Sequence, residues 1–376
     1  MTTKDILWHV RWWKLIRRDI MRIEELDKNL KVETKINKDD IIWLSPKEAP
    51  FVIYGLCGNG SDLPYHRVPK DVAEKTSEGV KNLAWHTAGG RVRFATDSPY
   101  IAIKAVMPKT ATMVHMTKAG QSGFDLYEDV DGAPAYYSTF MPISGVTDGY
   151  ESLAEMKNPR MTTYSINMPL YDGVNELYIG LKQGSQIAAP RKYKHEKPVL
   201  YYGSSITQGG CASRPGNSYQ AMIERMLDTD YINLGFSGNA KGEEVMVNYL
   251  ASLDVSVFVC DYDHNAPNVE HLSKTHLPLY RAYREANPKT PIVFVTRPDF
   301  YRYSQSADSP DRRKVVYDTY MTAKNEGDEN VYFIDGETLF EGPLRDSCTV
   351  DGCHPNDLGF FRMAQVIGKV IKNIID

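Results

Sequence analysis

The sequence predicts an α/β protein: a three-layer α/β/α domain at the C-terminal end, preceded by an antiparallel β-sandwich domain and a leading amphipathic helix. Three observations carry that expectation. Apolar residues recur at steps of three and four over residues 4 to about 30, short runs of period two fill residues 40–185, and from residue 199 apolar β-rich runs alternate with longer helical patterns. With 376 residues the chain exceeds what one core usually serves, in keeping with separate domains at 40–185 and 195–376 behind a helical segment at 1–39.

In chain order, Ile6, Val10, Trp13, Ile16, Ile20, Ile23 and Leu26 mark one face of the leading helix. Trp8, Trp12 and Trp13 are interrupted by His9, Arg11, Lys14, Arg17 and Arg18. This leaves no continuous apolar stretch for a signal peptide or a bilayer span. Glu24, Glu25 and Asp27 reverse the charge, so the helix is expected to pack on its own domains or on a second copy, as a homodimer, rather than insert in a membrane.

Runs such as Gly90 to Ala95, Tyr100 to Val106 and Thr163 to Met168 then alternate apolar and polar residues between Gly-Gly, Asp-Gly and Ser-Pro steps, the pattern of antiparallel strands. Residues 184–197, with Pro190 and several charges, read as a linker. Beyond it, strands are expected at Val199 to Tyr202, Tyr231 to Leu234, Val255 to Val259, Ile292 to Val295 and Val331 to Ile334. Each is followed by a helix, which implies a parallel sheet covered on both faces.

Composition narrows the function. Lys and Arg number 44 against 48 Asp and Glu, a net charge of −4, so no basic field draws the chain to nucleic acid. The five cysteines are odd in number and lack paired C-x-x-C spacing. This argues against a disulfide framework and a structural zinc site and places the protein in a reducing compartment, the cytoplasm.

In an open parallel sheet the ligand crevice lies beyond the carboxyl ends of the strands. Four segments meet that condition. Tyr201-Tyr202-Gly203-Ser204-Ser205-Ile206-Thr207 carries a strand into a turn that would hold the Ser205 hydroxyl at the sheet edge, a candidate nucleophile. Gly238 follows the second strand and can present a bare N–H, while Asn265 follows the third and can offer its side-chain amide. Asp351-Gly352-Cys353-His354-Pro355 precedes a final helix expected from about Asn356 to Ile375. Pro355 keeps His354 out of that helix.

A three-residue separation on a tight loop lets Asp351 reach Nδ1 of His354, leaving Nε2 to take the Ser205 proton. The N–H groups of Ser205 and Gly238 and the amide of Asn265 would form an oxyanion hole. Taken alone, a Gly-x-Ser turn is mostly structural, and Asp-x-x-His is a common helix entry; the set acquires meaning together. Asp261, Asp263 and His264 invite a metal reading, but no His-x-x-x-His or carboxylate ladder accompanies them, and serine chemistry needs neither cation nor cofactor. Cys211 and Cys353 read as packing side chains. Trp85, Tyr127, Tyr136 and Tyr137 could stack on sugar rings, although alternation makes core positions of many of them.

The four blocks, in this order, resemble the SGNH hydrolases, also called the GDSL family, whose Ser, Gly, Asn and His correspond to Ser205, Gly238, Asn265 and His354 over residues 195–376. The chain departs from the Gly-Asp-Ser-Leu wording with Ser204, and from the usual third block with Asp261-Tyr262-Asp263-His264-Asn265. Gly123-Phe124-Asp125-Leu126-Tyr127 resembles the Gly-x-Asp-Leu-Tyr signature of a β-rich domain that accompanies a subgroup of these enzymes. The resemblance implies a flavodoxin-like sheet order and a serine esterase acting on small acyl, in particular acetyl, esters of carbohydrates. Alternatives with the same site are a lipid esterase, thioesterase or acyltransferase; an alternative of another class is a glycan-binding protein with an inactive hydrolase domain.

Overall fold

The computed structural model describes residues 36–62, 64–108, 112–142, 148–299 and 307–376; the leading helix expected at residues 4 to about 30 lies outside them. Strands β1 (Ile41–Leu44), β2 (Val52–Tyr54), β3 (Arg91–Thr96), β4 (Tyr100–Val106), β5 (Phe124–Val130), β6 (Ala133–Phe140), β7 (Gly149–Glu155), β8 (Thr162–Asn167), β9 (Glu176–Lys182) and β10 (Ile187–Ala188) form two antiparallel sheets. One sheet has the order β1-β9-β4-β7 and the other β10-β3-β8-β5-β6, with β2 also pairing β3. Alternate residues of both, among them Val92, Phe94, Ile101, Ile103, Leu126 and Ile179, meet in one apolar cluster, the expected consequence of period two.

Two features of this half depart from the sequence reading. Residues 184–197 are not a free linker: Ile187 and Ala188 pair with Thr96 and Ala95, and β11 (His195–Gly203) starts before the segment ends. Between them Arg191 is tied to Asp129 at 2.9 Å and to Asp228 at 2.6 Å, so ion pairs strap a stretch whose charges resemble those of a linker. The short helices α1 (Lys70–Thr76), α2 (Glu78–Leu83) and α3 (Lys118–Ser122) also interrupt the β texture. Ala73 and Val80, from the first two, pack into the core of the following domain.

That domain contains β11, β12 (Thr229–Gly235), β13 (Val257–Asp261), β14 (Ile292–Val295) and β15 (Val331–Ile334), all parallel in the order β12-β11-β13-β14-β15. The flavodoxin-like order follows from right-handed crossovers that switch direction once, between β11 and β13. Helices α4 (Ser205–Gln208), α5 (Tyr219–Leu227), α6 (Glu244–Ser252), α7 (Val269–Ala286), α8 (Ser309–Asn325) and α9 (Asp357–Ile375) complete the layers. Strand alternation divides the core: Leu200, Tyr202, Phe258 and Cys260 join α6, α7 and α8 on one face, while Val199, Tyr201, Val257 and Val259 join α5 and α9 on the other. Among the described residues no helix is long and apolar enough to cross a membrane.

The two halves are joined by buried charge. Arg91 and Arg93 alternate with apolar residues in β3 as solvent-facing residues would, yet both are buried, because that face of the strand lies on the α/β domain. Arg91 pairs with Asp230, donates to the Tyr231 carbonyl at 3.2 Å and lies 3.9 Å over the Tyr231 ring. Burial alone would weaken the charge of the Arg91 guanidinium, but the Tyr193 and Tyr231 oxygens and the Asp230 carboxylate outweigh it. Arg67 donates to the carbonyls of Asn233 at 3.1 Å and Gly235 at 2.7 Å, gripping the end of β12 beside the turn that carries Ser205.

Candidate active site

β11 ends at Gly203, and Ser204 caps the short α4 by accepting from Ile206 N at 3.2 Å, so Ser205 opens the helical turn with its side chain at the sheet edge. The turn can press onto β12 because position 235 is glycine: a Cβ there would lie 2.1 Å from Gln208 N. The Ser205 carbonyl accepts from Gly209 N and Gly210 N, both at 3.0 Å, and from the Tyr171 hydroxyl at 2.9 Å. Three donors on one carbonyl hold the backbone of the turn in place.

His354 stands on the loop before α9. Its Nε2 is 2.9 Å from Ser205 Oγ and its Nδ1 is 2.7 Å from Asp351 Oδ2. The other Asp351 oxygen accepts from Cys353 N at 2.9 Å and His354 N at 2.7 Å, so the carboxylate shapes the loop as well as orienting the ring. Burial would raise the Asp351 carboxyl, but the His354 side chain and these N–H groups hold it below the usual carboxylate range. With an ionised acceptor at Nδ1, the proton sits on Nδ1 and Nε2 is left to accept from Ser205.

Gly238 adopts φ +69° in the turn after β12, and a Cβ there would meet nothing within 4 Å, so its backbone borders open space. Asn265 donates one amide hydrogen to the Phe236 carbonyl at 3.2 Å, which leaves the second hydrogen of its NH₂ for another acceptor. Ser205, Gly238, Asn265 and His354 line one cavity of about 430 Å³, with Asp351 behind His354. Among the described residues lining it, Ile206 is the one aliphatic side chain, and Asp263, His264 and Arg297 contribute to its polar wall.

Asp261, two residues past the expected strand end at Val259, is the last residue of β13 and is buried under the Ser205 turn, where its Oδ2 accepts from Thr207 Oγ1 at 3.2 Å. Burial, reinforced by the charge of Asp263, raises its carboxyl well above the usual value. Asp263 remains ionised: burial opposes this, but His264 at 3.1 Å and the Arg297 N–H at 3.2 Å prevail. A carboxyl raised on folding stabilises fully below its unfolded pKa of about 3.9, and that contribution is lost as pH rises through the folded value. Asp261→Asn, which keeps the shape without the ionisation, is therefore expected to gain stability relative to the parent as pH rises from 4 to 8. Urea midpoints across that range check it; a gap that stays constant with pH means the Asp261 carboxyl is not raised on folding.

The cysteines beside the site are poor thiolates: burial pushes Cys211 up to about 12 and raises Cys353 as well. Of the aromatic residues, Tyr127 is buried and bonded to Arg214, and Tyr137 donates to the Glu155 carbonyl at 2.8 Å. Tyr136 is exposed beneath the Arg214 guanidinium, 4.1 Å from its ring centroid. Trp85 lines a second cavity of about 400 Å³ with Asn82, His86, Gln121, Tyr171 and Asp172.

Two contributions of the β-rich half were missed. Asp125 of the Gly-x-Asp-Leu-Tyr segment accepts from Arg214 and from Gly216 N, both at 2.8 Å, fixing the loop whose Ser213 and Asn217 bond Asp357 at the start of α9. The motif thus braces the segment that carries His354. His115 lies beside the active centre, its ring centroid 5.6 Å from that of His354. No periodicity or spacing marks this residue; only the packing of Met116 among Tyr171, Cys211 and Ala212, and the 2.6 Å bond from Thr117 to the Ser213 carbonyl, bring it there.

Comparison with known proteins finds the GDSL-like Lipase/Acylhydrolase family over residues 196–372 and, over residues 41–187, the N-terminus of SGNH-hydrolase-type esterases. No curated protein matches. Among solved structures, a protein from Bacteroides ovatus ATCC 8483 designated a GDSL-like lipase is 27% identical, with 89% of this chain and 98% of that one covered and a TM-score of 0.80. The salicylyl-acyltransferase SsfX3 of a tetracycline biosynthetic pathway is 18% identical, with coverage of 90% and 99% and a TM-score of 0.71. A family two carbohydrate esterase from Clostridium thermocellum, in complex with cellohexaose, is 15% identical, with coverage of 77% and 93% and a TM-score of 0.54.

Proposed function

The chain belongs to the GDSL-like lipase/acylhydrolase family, with the N-terminal domain of SGNH-type esterases, and on that premise we propose that it is a serine esterase removing acetyl groups from a carbohydrate. The observation that carries the reading is the continuous chain of hydrogen bonds from Asp351 through His354 to Ser205 at the edge of a cavity.

Ser205 Oγ attacks the ester carbonyl carbon as its proton passes to His354 Nε2. The negative oxygen of the tetrahedral intermediate is met by the N–H groups of Ser205 and Gly238 and by the Asn265 amide. His354 then gives its proton to the departing alcohol oxygen, leaving an acyl-enzyme. Water, deprotonated by the same histidine, releases acetate and restores Ser205.

The cavity lining favours a small acyl group and a polar alcohol. Each methylene buried against apolar surface contributes about 0.8 kcal/mol, and with Ile206 the one aliphatic side chain described there, a long chain finds little to bury against. The likeness in fold to family two carbohydrate esterases, one of them seen with cellohexaose, supports a sugar as the alcohol. Comparing p-nitrophenyl acetate with the octanoate should give at least about a tenfold preference in kcat/KM for acetate. Acetate release from a panel of acetylated mono- and oligosaccharides should identify the alcohol. A preference for octanoate points instead to the lipid esterase reading, and turnover of acetylated sugars no better than of simple alkyl acetates removes the carbohydrate.

A further inference from the structure

We propose that His115, His354 and Asp351 form a binding site for a divalent transition metal of the zinc class, and that the bound ion shuts off the serine chemistry; the inhibitory half rests on the triad reading above. One ligand atom from each of the three side chains lies within 4.8 Å of the others. Two imidazoles and a carboxylate are a zinc donor set, with metal–ligand distances of about 2.0–2.2 Å that leave donor atoms of one tetrahedral ion about 3.3 Å apart. Asp351 and His354 stand 2.7 Å apart and the ligand atom of His115 lies within 4.8 Å of theirs, so a shift of up to about 1.5 Å closes the site. His115 is exposed, so its ring can turn toward Asp351 and His354 without disturbing the core.

The fourth position of a tetrahedral ion faces solvent, as in an open zinc site, but the effect on the reaction is the opposite of a catalytic metal. Both nitrogens of His354 are already used, Nδ1 toward Asp351 and Nε2 toward Ser205. An ion on Nε2 consumes the lone pair that accepts the Ser205 proton. An ion on Nδ1 displaces the proton held there, which passes to Nε2 or to solvent, and replaces the bond that orients the ring. Either way the nucleophile loses its base, and chelation with return of the proton to Nδ1 restores it.

His115 comes from the β-rich half, carried on the segment that Thr117 and Met116 anchor to the α/β domain. Sensitivity to metal is thereby a property of the assembled two-part fold.

The test uses the full chain, stripped with EDTA and exchanged into chelator-free buffer. Titration calorimetry with ZnCl₂ is expected to show one ion per chain, and p-nitrophenyl acetate hydrolysis to fall at least about tenfold over the same concentration range and return with EDTA. His115→Ala, read against its own zinc-free rate, should bind the ion and be inhibited by it at least about 10-fold more weakly, since losing a ligand costs no less than losing the outer partner of one. Equal zinc response in parent and variant, or no heat of binding up to about 1 mM ZnCl₂, overturns the site. The calorimetric comparison needs no turnover, so it decides the metal site even if the esterase reading fails; binding without inhibition overturns the inhibitory half alone.

Discussion

Ser205→Ala is expected to lose ester hydrolysis by about 10⁴-fold or more while remaining folded. The serine hydroxyl is the one group positioned both to attack a carbonyl in the cavity and to pass its proton to His354 Nε2, 2.9 Å away. Removing it leaves the oxyanion donors at Ser205 N, Gly238 and Asn265. Such remnants typically retain about 10³–10⁴-fold catalysis over water, so the variant should be very slow without being inert. Little structural cost is expected, because the backbone of the turn is held through the Ser205 carbonyl by Gly209, Gly210 and Tyr171, none of which touches the hydroxyl. Initial rates on p-nitrophenyl acetate, with circular dichroism as the control for folding, check it. A folded variant within tenfold of the parent removes Ser205 as nucleophile and returns the glycan-binding alternative to the front.

Arg91→Ala is expected to destabilise the fold by about 3–5 kcal/mol. The cost arises less from lost attraction than from what is left behind. Asp230 stays buried without the guanidinium paired to it, the Gly89 carbonyl loses a donor at 2.5 Å, and the Tyr231 ring loses the guanidinium stacked on it. Replacing both partners together, Arg91→Met with Asp230→Asn, should recover most of that loss, since an uncharged pair of similar volume has no desolvation penalty to offset. Urea unfolding of the two variants measures both numbers. A cost below about 1 kcal/mol for Arg91→Ala would mean that the seam between the halves does not depend on this ion pair.

Several parts of the fold were legible because their signals are local. Tyr100 to Val106 is a run of β-branched, aromatic and small residues with one lysine, and β4 has those bounds. Asn356 opens the last helix as its cap, accepting from Leu358 N at 3.0 Å and Gly359 N at 3.2 Å, as its position before an amphipathic run implied. The Asp351–His354 bond was legible for the same reason, since a three-residue spacing on a tight loop brings the groups together whatever surrounds them. Strand ends were less so. Val255 was placed in the third strand and Asp261 beyond it, yet β13 runs Val257–Asp261, because pairing with β11 continues as far as Gly203 and Asp261 and takes a charged residue into the core.

By itself, then, the sequence determined the order of strands and helices, the parallel and antiparallel halves, and the candidate set Ser205, Gly238, Asn265, Asp351 and His354, all from periodicity, block order and short spacing. The tertiary structure alone decided that Arg91 and Arg93 are buried at a seam, that Asp261 is buried under the Ser205 turn with its carboxyl raised, and that Asp125 braces the loop leading to α9. It also decided that His115 stands beside His354. The reason is physical. Periodicity records which face of an element avoids water, whereas the partner that covers that face, and so the charge and dielectric each side chain experiences, is chosen by contacts between segments far apart in the chain.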